Sequence, residues 1–184
     1  MAVTINKKLN IVIPMEDDAG NTYYLHSMPL SREAFQSNWL LLSQTFSAMV
    51  EQGIQVTAGP RVASIVMRDL AEKQGRIEDY DAIMSEIRRL TTVIKGSGEG
   101  YEQLPLATAL ARGIVSPDDI EDAGNMLVFF TLVSSMWKGS RRVASLTFMN
   151  SLWQSENTSL SATAFMDSLM ISTEAGSSGE TAAE

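Results

Sequence analysis

Residues 116–138 constrain the fold more than any other part of the chain. Ser116-Pro117-Asp118-Asp119 combines the signals of a helix start: a serine cap, a proline suited to the first turn, and two acids facing the positive end of the helix dipole. The helix that follows, read over 120–138, contains Met126-Leu-Val-Phe-Phe-Thr-Leu-Val133, which is apolar nearly all round. A helix with no polar face is a buried one. This stretch is also far shorter than the ~20 apolar residues that cross a bilayer. It therefore predicts a central helix inside a water-soluble domain.

The flanking segments predict helices that pack around it. Phe35, Trp39, Leu42, Phe46 and Met49 step by four and three, an amphipathic pattern that spans 31–53 between a Ser31 cap and Gly53. Pro60 opens a second helix that Gly75 stops, with Val62, Ile65, Val66 and Leu70 as its stripe. Tyr80, Ile83, Ile87, Leu90 and Ile94 share one face of a third, over 77–94. The stretch 95–100 reads as a flexible break, followed by a short helix at 104–112. Residues 141–153 and 157–171 read as further helices, the latter with Phe165 and Leu169 inward.

The N-terminus differs. Residues 4–13 and 22–26 are β-branched and aromatic, and they flank Asp17-Asp18-Ala19-Gly20-Asn21, so they read as a hairpin. The expected fold is mainly α: about six helices with one N-terminal β-hairpin and a disordered C-terminal tail. The division is a hairpin region at 1–30, a helical domain at 31–171 and a tail at 172–184, where only Thr, Glu, Ala, Gly and Ser follow Ser172. The expected core includes Phe35, Trp39, Leu42, Ile65, Ile87, Leu127, Phe130 and Leu132.

Composition narrows the chemistry. The 184 residues include no cysteine and one histidine, His26, which excludes disulfides, thiolate metal sites, a cysteine nucleophile and multi-histidine zinc sites. A net charge of −8 is poorly suited to neutralising nucleic-acid phosphates. No secretory signal is read at the N-terminus.

The remaining candidates are weak. Lys95-Gly96-Ser97 has the wrong order for a phosphate-binding loop and ends a predicted helix. Glu16-Asp17-Asp18 and the acids Asp118, Asp119, Glu121 and Asp122 lack calcium-loop spacing and read as a solvated turn and a helix start. His26 lies in the hairpin with no evident catalytic partner and reads as structural. The basic doublets Arg88-Arg89 and Arg141-Arg142 read as helix-end charges and partners of acids. No catalytic, cofactor-binding or metal residue is nominated, no cofactor is expected, and the chain is read as a non-enzyme. Eleven methionines in an acidic, helical chain point instead toward an interaction protein.

Several segments, in order, carry a resemblance. They are Ile5-Asn-Lys-Lys-Leu-Asn-Ile-Val-Ile-Pro14, His26-Ser-Met-Pro-Leu-Ser-Arg-Glu-Ala-Phe35, Ala58-Gly-Pro-Arg-Val-Ala63, Glu86-Ile-Arg-Arg-Leu-Thr91, the stretch 119–131 ending Phe129-Phe130-Thr131, Leu152-Trp153, Thr158-Ser-Leu160 and Ser168-Leu169. Together they resemble the tail assembly chaperones of long-tailed bacteriophages, the short product encoded upstream of the tape measure protein. The resemblance implies a role and no active site. Such a chaperone coats the helical, aggregation-prone tape measure protein in the host cytoplasm, helps recruit tail tube subunits and is displaced as the tube polymerises. In many members a frameshift adds a second domain that contacts the tube protein, and the polar segment after Ser172 suits a linker to it. Self-association is compatible with this reading, and contact with nucleic acid or membrane is not expected. Partner-contact residues are left unassigned. The alternative is a minor structural or tail-completion protein of the virion.

Overall fold

A computed structural model describes residues 9–17, 19–97 and 100–177. The chain runs β1 (Asn10–Glu16), β2 (Thr22–Ser27), α1 (Arg32–Ser37), α2 (Trp39–Glu51), α3 (Gly59–Lys73), α4 (Ile77–Arg89), β3 (Thr91–Ser97), β4 (Gly100–Pro105), α5 (Leu106–Ala111), α6 (Pro117–Met136), α7 (Gly139–Trp153), β5 (Glu156–Thr158) and α8 (Ala162–Ser177). The strands form one antiparallel sheet in the order β4-β3-β2-β1-β5.

This corrects the expectation of a mainly α fold of about six helices with a single hairpin. The described residues hold eight helices and a five-stranded sheet. The hairpin is present, with Val12 opposite His26 and Met15 opposite Tyr23, but it is the middle of a larger sheet. Helix α4 stops at Arg89 because Thr91-Thr92-Val93-Ile94 is four β-branched residues in succession, which favour extended backbone. The stop is fixed by Thr91 Oγ1, which donates to the Ile87 carbonyl (2.8 Å) and accepts from the Ser27 hydroxyl of β2 (2.9 Å). Ile94 keeps helical spacing from Ile87 and Leu90 by coincidence; it is buried from a strand. The expected flexible break at 95–100 is largely strand, with Ser97 paired to Gly100. The segment expected as the last helix begins with β5, paired to the start of β1. Of the expected disordered tail, residues 172–177 lie in α8, and 178–184 fall outside the described residues.

Alternate strand residues face opposite layers. Ile11, Ile13, Tyr23, Leu25 and Val93 face the helices α2–α7 and form the main core with them. Val12 and Ile94 face α8, where they pack on Phe165 with Tyr24, Tyr101, Met166 and Leu169 around them. The result is three layers: helices, sheet, and the single helix α8.

Helix α6 is central. Leu127, Val128, Phe129, Phe130, Leu132 and Val133 are all buried. Its start is closed by a capping box, with Asp119 N donating to Ser116 Oγ (3.1 Å) and Ser116 N to Asp119 Oδ2 (3.3 Å). Tyr23 Oη donates to the same carboxylate oxygen (3.1 Å), which ties β2 to the cap. Helix α3 crosses α6 so closely that a Cβ at Gly59 would strike the Phe129 ring.

That close approach explains one departure from the expected core, Ile65. Leu42, Ile87, Leu127, Phe130 and Leu132 are buried as expected. Helix α3, however, turns Gly59, Pro60, Ala63, Ser64, Met67 and Ala71 inward, and its large residue Ile65 is 56% exposed. Trp39 is 51% exposed and Phe35 only partly buried.

Candidate functional site

The polar residues weighed in the sequence take structural places. His26 is buried on the α8 side of the sheet, and its Nε2 lies 3.0 Å from the Leu160 carbonyl. Because a carbonyl only accepts, the ring carries its proton on Nε2. Burial holds its pKa below the ordinary histidine value. Asn10 Nδ2 donates to the same carbonyl (2.7 Å). Asp17 caps its own turn by accepting from Ala19 N and Asn21 N; the Asn21 amide is the main reason its carboxyl sits below the usual range. Lys95, from the rejected phosphate-loop motif, lies 3.6 Å from Asp17. Arg89 pairs with Glu86 (2.7 Å). Asp119 is the α6 cap. Among the described residues, no three His, Asp or Glu side chains converge to hold a metal ion, and no helix is long and apolar enough to cross a membrane.

The face that stands out is largely apolar and includes Trp39, which was expected in the core. Trp39, Ser43, Phe46 and Val50 fall on one line of α2, about 16 Å long at ~1.5 Å per residue. Leu42 and Met49 point inward from the neighbouring line, while Trp39 and Val50 are 51% and 56% exposed. The two stripes looked like one because a stripe with large residues on both edges is wider than the contact it makes. Phe35 stacks edge-on against Trp39, with ring centroids 5.7 Å apart. Phe46 does the same with Trp137, just beyond the end of α6, at 5.6 Å.

Between this line and α6 lies a groove of about 370 Å³. Its walls are Phe46, Met49 and Val50 of α2, Ile54 and Val56 of the following loop, and Phe129, Leu132, Val133 and Trp137. Arg141 closes one end, its guanidinium 5.9 Å from the Trp137 ring centre. Arg141 is the one charged residue in the lining.

A second recess, of about 480 Å³, lies between α3, α4 and the start of α6 and is more polar. There Ser64 Oγ and Tyr80 Oη are 3.0 Å apart, and Asn125 Oδ1 accepts from Ser64 N (3.0 Å). These contacts join α3 to α4 and α6, and they satisfy one another.

The groove coincides with a charge pattern that is visible in the sequence. The chain has 22 acids, yet none lies within 34–50 or 123–155. Those two stretches supply most of the groove's walls; Ile54, Gln55 and Val56, which follow the exposed acid Glu51, complete them. Residues 123–155 carry only Lys138, Arg141 and Arg142 as charges.

Fold and groove together define a class: a three-layer α/β domain with an open, apolar, helix-lined groove. No protein-family model, no curated protein and no solved structure matches the chain.

Proposed function

We propose that the chain is a phage tail assembly chaperone that binds apolar helical segments of the tape measure protein in the α2–α6 groove and keeps that protein soluble until tube subunits replace it. The observation that carries this reading is the groove itself. A folded domain has left Trp39 and Val50 exposed, with Phe46 half-buried between them, along one line beside an apolar cleft. Uncovered apolar surface of this kind marks an interaction site, and a cleft between helices suits an amphipathic helix. The net charge of −8 would keep a coated client from associating with other coated clients. The resemblance to tail assembly chaperones supplies the identity of the client. In this reading release needs no nucleotide, because tube subunits compete for the same client by mass action. Recruitment of tube subunits belongs to the same proposal and is assigned no surface.

Co-expression with the tape measure protein tests it. The chain is expected to raise the client's soluble fraction without ATP, and Val50→Glu is expected to abolish the rise while leaving the thermal melt unchanged. A tape measure protein that stays soluble and assembly-competent without this chain refutes the reading. Finding the chain in purified virions would instead favour a structural component.

A further inference from the structure

We infer that the occupant of the α2–α6 groove is an amphipathic helix whose apolar face is flanked by acidic side chains, which pair with Arg141 and its basic neighbours at the α6–α7 junction. The inference rests on the proposed chaperone reading and specifies the chemistry of its client. Three observations support it.

The first is charge segregation. In a chain with net charge −8, residues 123–155 carry three cations and no acid, and the other wall, residues 46–56, carries Glu51 as its one charge. An acidic surface elsewhere repels an acidic partner, so such a partner is steered to this one region.

The second is that these cations have no acid of their own. The ion pairs among the described residues engage Arg68, Lys73, Arg76, Arg89 and Lys95, and none engages Lys138, Arg141 or Arg142. Arg142 Nε is buried without a hydrogen-bond partner.

The third is position. Helix α4 has Glu78 and Asp79 in its first turn and Arg88 and Arg89 in its last, as its dipole favours. Helix α7 does the reverse: Arg141 and Arg142 lie in its first turn, no acid accompanies them, and Lys138 at the cap makes no side-chain capping bond. Two cations at the positive end of a helix are unfavourable alone. A carboxylate from an occupant of the adjoining groove offsets both the cations and the uncapped amides.

Two fluorescein-labelled peptides of about 20 residues test this, each with leucines at i, i+3, i+4 and i+7 on one face, and with glutamates or lysines flanking that face. Anisotropy titration with the intact chain is expected to show about tenfold tighter binding of the glutamate peptide at ~50 mM salt. The difference is expected to shrink at ~500 mM, where the Debye length falls to roughly 4 Å. Arg141→Glu and, separately, Lys138→Glu are expected to remove or reverse the preference. Both positions are exposed, and circular dichroism checks that each variant is folded. Equal binding of the two peptides, or a preference that survives both substitutions, overturns the inference. So does failure of both peptides to bind. The co-expression assay separates this from the parent reading: client solubility that persists while the charge preference is absent leaves a chaperone with a different client chemistry. A clear preference without client solubilisation leaves the acidic-helix site and removes the chaperone.

Discussion

Two apolar surfaces of this molecule received opposite treatment. The far face of the sheet, with Val12, Tyr24, Ile94 and Tyr101, is covered by α8, a helix of the same chain. The α2–α6 groove, with Phe46, Val50 and Trp137, is covered by nothing the chain provides among its described residues. The difference lies in polar anchoring. Helix α8 is led onto the sheet by one carbonyl, Leu160, which accepts from both Asn10 Nδ2 and His26 Nε2, two buried side chains on adjacent central strands. Buried donors that need a specific acceptor make a cover unique, because losing it strands both. The groove's lining is apolar apart from Gln55 and Arg141, with no pair of buried donors converging on one acceptor. On the proposed reading such a surface would hold an occupant without specifying one geometry, as a client that is later released requires.

Substitutions can break this comparison. Phe165→Ala removes the buried ring that α8 lays against Tyr24 at 5.7 Å, and it is expected to cost about 3–4 kcal/mol in urea unfolding. A loss below about 1 kcal/mol would mean that α8 is as loosely held as a groove occupant. Tyr23→Phe removes the hydrogen bond from β2 to the α6 cap carboxylate and is expected to cost about 1–2 kcal/mol by the same measurement. Burial, assisted by the Asp119 charge, raises the Tyr23 pKa, so this donor keeps its proton at neutral pH.

The anchor is expected to be sensitive to pH. The folded pKa of His26 is depressed by burial, so the unfolded chain takes up the proton first. The stability tied to neutral His26 is therefore fully present above about pH 6.5 and is lost as pH falls from there through the folded value. Melting curves at pH 7.5 and 5.5 measure the loss. His26→Gln, which keeps a donor and cannot titrate, should reduce the pH dependence across that window; an unchanged slope would show that carboxylates alone set it. The smallest stability effect is expected at the groove. Val50→Glu should change stability by no more than about 0.5 kcal/mol, since the side chain is 56% exposed, while removing client binding. A large destabilisation there would make the line along α2 part of the core after all.

The sequence carried the parts of the fold that local chemistry decides. The capping box at Ser116 and Asp119, the all-round apolar stretch behind it, the Pro60 start and Gly75 stop of α3, and the β1–β2 hairpin were legible because each depends on neighbours a few residues away. Tertiary structure decided the rest. Strand β3 had a local signal, its four successive β-branched residues, but its apolar residues also fit a helix period, and the hydrogen-bonding edge that β2 offers decided between the two. Strands β4 and β5 are too polar or too short to announce themselves, and they exist by pairing at the two edges. Which of two adjacent stripes on α2 and α3 turned inward depended on how closely those helices approach α6, and close approach favoured Gly59 and Ala63 over Ile65. The groove is a product of the same choice. Its residues and their scarcity of acids were written in the sequence, but only packing left Trp39 and Val50 outside, because burial is settled by the shape of the neighbouring surface, and no periodicity in one segment encodes that shape.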